Sequence, residues 1–159
     1  MARRSGSNRR PSDAAERLLD DDALCTALRR ELAAGADTVL WQQLGDQVLV
    51  HLDTVSVQAG PHGLQVSIEL QTDQSGRSPL TIGFALAGPD DPADLTAVTE
   101  QLPAGDPVLA ARWGHLLQEA VFEALLRVLD RTAEAAGRVP VGLRASTAGL
   151  ELVIGETAS

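Results

Sequence analysis

The chain has 159 residues, of which 44% are hydrophobic and 22% are charged, and its formal net charge is −9. This length predicts one domain, and this apolar fraction supports a packed core, which excludes general disorder. A single cysteine, Cys25, excludes an internal disulfide and a cysteine-rich metal site.

The first residues differ in charge from the rest of the chain. Residues 1–11 contain four arginines and no acidic residue. We expect residues 1–11 to be a disordered basic tail, residues 12–155 to form a single α+β domain, and residues 156–159 to fray. The acidic domain repels nucleic acid and anionic membranes, so only the tail is suited to weak contact with nucleic acid. We expect a cytoplasmic protein, because no apolar stretch approaches the roughly 18 residues of a membrane span.

A helix is predicted from Asp13, or one residue earlier, to about Ala34. Asp13 and Glu16 have the three-residue spacing of a capping box, and Gly35 suits the position after the last turn. Residues 38–44 fit either a short strand or a turn of helix, and we favour the strand.

Half-buried strands are predicted from Gln47 onward, because apolar and polar residues alternate there. The alternation slips near Asp53-Thr54, which predicts a bulge. Turns are predicted at residues 60–63 and 73–77. The pattern is typical of an antiparallel meander with one polar face.

The second half of the chain is predicted to hold a long helix and a hairpin. A short helix near residues 94–101 lies in a Pro- and Asp-rich connection. The long helix covers residues 108–136, and a hairpin turns at residues 146–149. These elements predict an α+β fold, a two-layer sandwich with an antiparallel sheet of about five to six strands. The order is helix, three or four strands, long helix, two strands, with both helices on one face and the hairpin in the same sheet.

The long helix has more apolar surface than one face can bury. Trp113 belongs to its main stripe and is predicted to lie in the core. A second stripe includes Phe122, Leu126 and Leu129. Either the N-terminal helix covers this stripe, or a second copy of the chain does. We therefore predict a partner interface at Phe122, Leu126 and Leu129.

No motif in the sequence predicts catalysis. The chain has three histidines, and only His115 has an acidic residue at helical spacing, Glu119. A nucleophile elbow, a phosphate-binding glycine loop and a metal-ligand pattern are all absent. We therefore predict no catalytic, cofactor-binding or metal-binding residue and no cofactor. The alternative is a pocket at His51, Asp53 and Arg144.

The predicted element order, size and acidity are similar to those of small dimeric type III secretion chaperones, which usually end in a further helix. The similarity implies a chaperone or adaptor role. We hypothesise a non-enzymatic protein-binding, adaptor or chaperone-like domain whose partner is itself, as a homodimer through the long helix, or another protein. The alternative is a small-molecule-binding protein or small enzyme with a cavity between sheet and helices.

Overall fold

The fold is seen in a computed structural model that describes residues 14–34, 36–61, 63–85, 96–97 and 104–156. The predicted tail at residues 1–11 lies outside these ranges, and so does the predicted frayed end at residues 156–159 apart from Glu156, which ends the last strand. The described chain is an α+β fold with two helices, a larger antiparallel sheet and a three-stranded sheet. The predicted fold class is confirmed.

The elements follow one another along the chain in an order that begins with a strand. They are β1 (Ala14–Leu19), α1 (Asp21–Ala33), β2 (Thr38–Gln43), β3 (Asp46–Gly60), β4 (Gly63–Thr72), β5 (Gly76–Ala85), β6 (Thr96–Ala97), β7 (Ala104–Gly105), α2 (Pro107–Ala135), β8 (Arg138–Ser146) and β9 (Gly149–Glu156). The larger sheet has the order β2-β3-β4-β5-β6, and β7 also pairs with β5. The smaller sheet has the order β1-β9-β8.

The larger sheet buries one face and leaves the other polar. Its neighbouring strands place apolar residues opposite each other, as in the pairs Leu64–Phe84 and Val66–Ile82. Alternate residues such as Gln65 are exposed. This confirms the predicted meander, in which the two-residue period of a strand separates a core face from a solvent face.

The predicted slip in β3 is a bulge. The register between β3 and β4 shifts between His51 and Ser56. The Thr54 hydroxyl donates to the His51 carbonyl at 2.6 Å, and its oxygen accepts the backbone N–H of Glu69 at 2.9 Å. A side chain thus replaces backbone pairing where the ladder is interrupted.

The predicted start of the first helix is wrong. Residues Ala14–Leu19 form β1, which pairs with β9 from Ala14–Gly155 to Leu19–Leu150. The helix begins after Asp20, whose carboxylate accepts the backbone N–H of Ala23 at 2.8 Å. Pairing with a distant strand outweighed the local capping pattern, and the acidic run at residues 20–22 supplied a cap closer to the helix.

Two other expectations about the secondary structure are corrected. The last hairpin, β8–β9, does not join the larger sheet but forms a separate one with β1, which pairs with β9. Within the predicted short helix at residues 94–101, Thr96–Ala97 is instead strand β6, and the rest lies outside the described residues. The preference for a strand at residues 38–44 is confirmed by β2.

The long helix α2 is unbroken and lies at the centre of the packing. Asp106 caps it by accepting the N–H groups of Val108 and Leu109 at 2.9 and 3.0 Å, and Pro107 occupies its first turn. Helix α1 packs on β3 and α2, while β8 and β9 also contact α2. The core therefore lies among both sheets and both helices, which explains why α2 is buried around so much of its circumference.

Candidate docking surface

The predicted interface residues on α2 differ in how far they are covered. Leu129 is buried, and Phe122 is half-buried with its ring stacked on Phe84 of β5. Leu126 is 41% exposed. Trp113 is in the core, as its position in the main stripe predicts. Inside one copy, the chain itself covers Leu129 and part of Phe122, so the predicted interface remains a prediction that now depends on Leu126.

The exposed side of α2 near Leu126 is mixed in character. Val108 is also exposed on this side, about five helical turns away, or roughly 27 Å. His115 and Glu119 lie between them and are both exposed. Polar side chains therefore separate Leu126 from Val108, and this side of the helix has no continuous apolar patch.

A different apolar surface lies along β2. Within the described ranges, β2 pairs with β3 alone, so its second side is a sheet edge. Its six residues, TVLWQQ, carry no charge. Leu40 is 50% exposed and Trp41 is half-buried. Soluble proteins usually protect such edges with charges, proline or bulges, since unpaired backbone groups invite another strand.

The turn after β2 determines which backbone groups face the open edge. The pair Gln43–Asp46 closes a two-residue turn, and a pair in this position exchanges both backbone hydrogen bonds. Bonded and non-bonded pairs alternate along an antiparallel ladder. The N–H and C=O groups of Thr38, Leu40 and Gln42 therefore point away from β3, toward the edge.

Leu44 in this turn is both exposed and conformationally unfavourable. It is 96% exposed, with φ at 51°, and Gly45 follows with φ at 84°. Glycine and asparagine are preferred in the left-handed region, which costs other L-residues roughly 1–2 kcal/mol. A leucine gains no packing at this position from its own chain, so its apolar side chain is available to a partner.

A groove of about 510 Å³ runs beside this edge, between β2 and the two helices. Most of the side chains that line it are apolar, and two are charged. Its lining consists of Leu32 from α1, Leu40, Trp41 and Gln42 from β2, and Leu116, Ala120, Glu123 and Arg127 from α2. The groove therefore joins the edge strand to a face of the long helix different from the one that carries Leu126.

Each end of β2 carries one cation and one anion. At its start, Arg29 Nη2 lies 3.1 Å from Asp37 Oδ1, and the Asp37 side chain is mostly exposed. At its end, Arg112 pairs with Asp46, and Gln43 Nε2 donates to the Arg112 carbonyl at 3.1 Å. The strand itself is neutral, so the charges that flank it are balanced at both ends.

The alternative pocket residues are separated by the fold. His51 is buried in β3 with its Nε2 2.8 Å from Gln71 Oε1, whereas Asp53 is exposed. Arg144 belongs to the smaller sheet, where its Nη1 lies 3.6 Å from Glu151 Oε1. None of the three lines the groove beside β2 or the second described groove.

The second groove, of about 390 Å³, lies between β1, α1 and the end of α2. Arg17, Arg30 and Arg131 line it together with Glu31. The Glu31 carboxylate pairs with Arg127 Nε at 3.2 Å and with Arg131 Nε at 2.5 Å. More charged side chains line this groove than line the one beside β2. Through its two ion pairs, Glu31 links α1 to α2.

No known protein identifies this surface, because the chain matches no family model, no curated protein and no solved structure. In the described ranges, no group of three or more His, Cys, Asp or Glu side chains is placed to hold a metal ion. Nor does any helix there have the length and apolarity needed to cross a membrane. The strand β1 ahead of α1 also departs from the element order on which the similarity to type III secretion chaperones rested.

Proposed function

We propose that this chain is a non-enzymatic protein-binding domain, of the adaptor or chaperone-like kind, that forms a homodimer. The observation that carries the proposal is the uncharged edge strand β2, which lies beside an open groove, carries the exposed side chain of Leu40 and is followed directly by the exposed Leu44. Strand edges and adjoining grooves are common sites of protein recognition.

The energetic argument concerns apolar surface left in water. Burying a leucine side chain stabilises by roughly 1.5–3 kcal/mol. Leu44 obtains almost none of this from its own chain, and Leu40, which is 50% exposed, obtains only part of it. A partner that covers both leucines and fills the groove recovers that free energy, and it also satisfies the backbone groups of β2. The long helix takes part through Leu116 and Ala120, which form a wall of the groove.

Sedimentation velocity and light scattering on the purified chain test the proposal. We expect a concentration-dependent dimer at micromolar concentration. Leu44→Asn, which suits the left-handed backbone but removes the apolar contact, should weaken the dimer at least tenfold, or about 1.4 kcal/mol.

Leu126→Asn is the matched control, because it removes an exposed leucine from the other side of α2. It should leave the dimer unchanged if the surface along β2 is used. A reversed result would return the interface to Leu126, whereas a chain that stays monomeric at every concentration would refute the homodimer.

A further inference from the structure

We infer that two copies join by antiparallel pairing of β2 with β2 across a two-fold axis at Leu40, which makes one continuous sheet. The inference rests on the proposed function, because it gives the geometry of the homodimer proposed above. In this arrangement a second copy of the chain covers the open edge of β2 and the groove beside it.

The backbone pattern of β2 selects the register. Two-fold pairing about Leu40 sets Leu40 against Leu40 of the partner subunit and Thr38 against Gln42 of the partner subunit. All three residues whose backbone groups point outward then form bonded pairs, with about six hydrogen bonds in total. A register about Trp41 would place Thr38 opposite the turn residue Leu44 and would form fewer bonds.

The side chains are compatible with this pairing on both faces. Directly opposed residues of an antiparallel pair lie on the same face of the sheet. On the polar face, Leu40 meets Leu40 of the partner subunit, and both gain cover. On the helix face, Val39 meets Trp41 of the partner subunit, so that the two grooves become continuous at the axis.

The charges at the ends of β2 are balanced, so they do not oppose pairing between two copies. In this register Asp37 lies opposite Gln43 of the partner subunit, whose side chain donates to a backbone carbonyl and carries no charge. Each Arg29–Asp37 ion pair therefore meets the other end of the partner's strand, which also carries one cation and one anion, and two-fold symmetry repeats the arrangement. The neutral strand brings no like charges together, which matters for a chain whose net charge is −9.

Disulfide trapping tests the axis directly. A bonded antiparallel pair has a Cα separation of about 5.5 Å, which fits a disulfide. Leu40→Cys in a Cys25→Ser background should form a covalent dimer under mild oxidation. Gln42→Cys in the same background is the control, because two such residues would lie about 14 Å apart along the strands and should stay unlinked.

The outcomes separate the two proposals. A cross-link at Leu40 and none at Gln42 supports the register. A dimer by light scattering with no cross-link at Leu40 overturns the β2 pairing and leaves the homodimer standing. Stronger linkage at Gln42 also overturns this register. A parent protein that is monomeric at every concentration overturns both.

A backbone substitution provides a second test. Leu40→Pro removes an N–H that points to the open edge, and it spares the hydrogen bonds between β2 and β3. Leu40→Ala removes the same side chain contacts and keeps the N–H. Both variants should fold by circular dichroism, with at least tenfold weaker dimerisation for the proline variant than for the alanine variant. Equal dissociation constants would overturn the pairing.

Discussion

The rings of Phe84 and Phe122 stack, with centroids 6.1 Å apart and an interplanar angle of 25°. Phe84 lies at the end of β5, and Phe122 lies near the middle of α2. The pair attaches the second apolar stripe of the helix to the larger sheet. It therefore explains how one copy of the chain covers a residue that the sequence pattern assigned to an interface between copies.

The stacked pair predicts that two truncations close together on α2 lower the free energy of unfolding by different amounts. Phe122→Ala should lower the free energy of unfolding by about 3 kcal/mol, because it leaves a gap against the buried Phe84 ring. Leu126→Ala should cost clearly less, about 1 kcal/mol, because Leu126 is 41% exposed in one copy. Urea denaturation of both variants checks this, and equal losses would mean that Leu126 is covered too.

Elements with strong internal periodicity could be predicted from the sequence. The long helix, the meander and the slip at Asp53-Thr54 are each specified by residues close together in the chain. Strand β1 could not be predicted in this way, because its partner β9 is at the far end of the chain. Asp13 and Glu16 satisfied a local capping rule, and no local signal revealed the competing strand pairing.

The candidate surface was harder to predict than the fold. Its groove is assembled from α1, β2 and α2, so no sequence window contains it. One signal was present: an uncharged run from Thr38 to Gln43, followed by a leucine where a tight turn prefers asparagine or glycine. An uncharged strand is ordinary inside a sheet, and it becomes informative only once β2 is known to lie at an edge.

Thr54 predicts a hydroxyl-specific effect at the bulge. Its side chain accepts the N–H of Glu69 and donates to the carbonyl of His51. Thr54→Val keeps the shape but leaves both groups without that partner, which should cost about 1–3 kcal/mol. Thr54→Ser keeps the hydroxyl and should cost clearly less. Thermal unfolding of the pair distinguishes them, and a larger loss for Thr54→Ser than for Thr54→Val would assign the role of Thr54 to its methyl group.

Gly149 predicts a backbone effect at the smaller sheet. A Cβ added there would lie 2.2 Å from the Leu19 carbonyl oxygen, and its φ is 139°. Gly149→Ala should therefore separate β1 from the hairpin and lower the melting temperature strongly. Gly60→Ala is the control, since its Cβ would meet nothing within 4 Å. Comparable melting temperatures for the two variants would show that β1 contributes little to stability.

The surroundings of Cys25 predict that the rate at which its thiol is alkylated depends on pH and on two neighbouring charges. Burial raises its pKa, while the charge of Arg29 lowers it and that of Asp22 raises it. Its Sγ donates to the Val55 carbonyl at 2.9 Å. Alkylation at pH 8 should thus be slower in the folded chain than in urea. Arg29→Gln should slow it further, whereas Asp22→Asn should speed it.

The raised pKa of Cys25 determines the direction in which the free energy of unfolding changes with pH. A thiol whose pKa is raised by folding stabilises the fold below its unfolded pKa of about 8.5, and that contribution is lost as the pH rises through the folded value. Cys25→Ser should therefore flatten the decline in unfolding free energy above this pH. If the unfolding free energy of this variant declines as steeply as that of the parent protein, then other titratable groups cause the decline.

The contacts of Glu31 predict that its ion pairs contribute more to the free energy of unfolding than an ordinary surface ion pair does. Its side chain is 9% exposed and bridges Arg127 and Arg131, which ties α1 to α2. Glu31→Gln should cost about 1 kcal/mol, a modest value because both arginines can return to water. Glu151→Gln, which removes the charge facing Arg144, should cost less than about 0.5 kcal/mol. High salt should reduce the difference between the two variants if charge is its cause. A difference that persists in high salt would instead assign the role of Glu31 to packing between the helices.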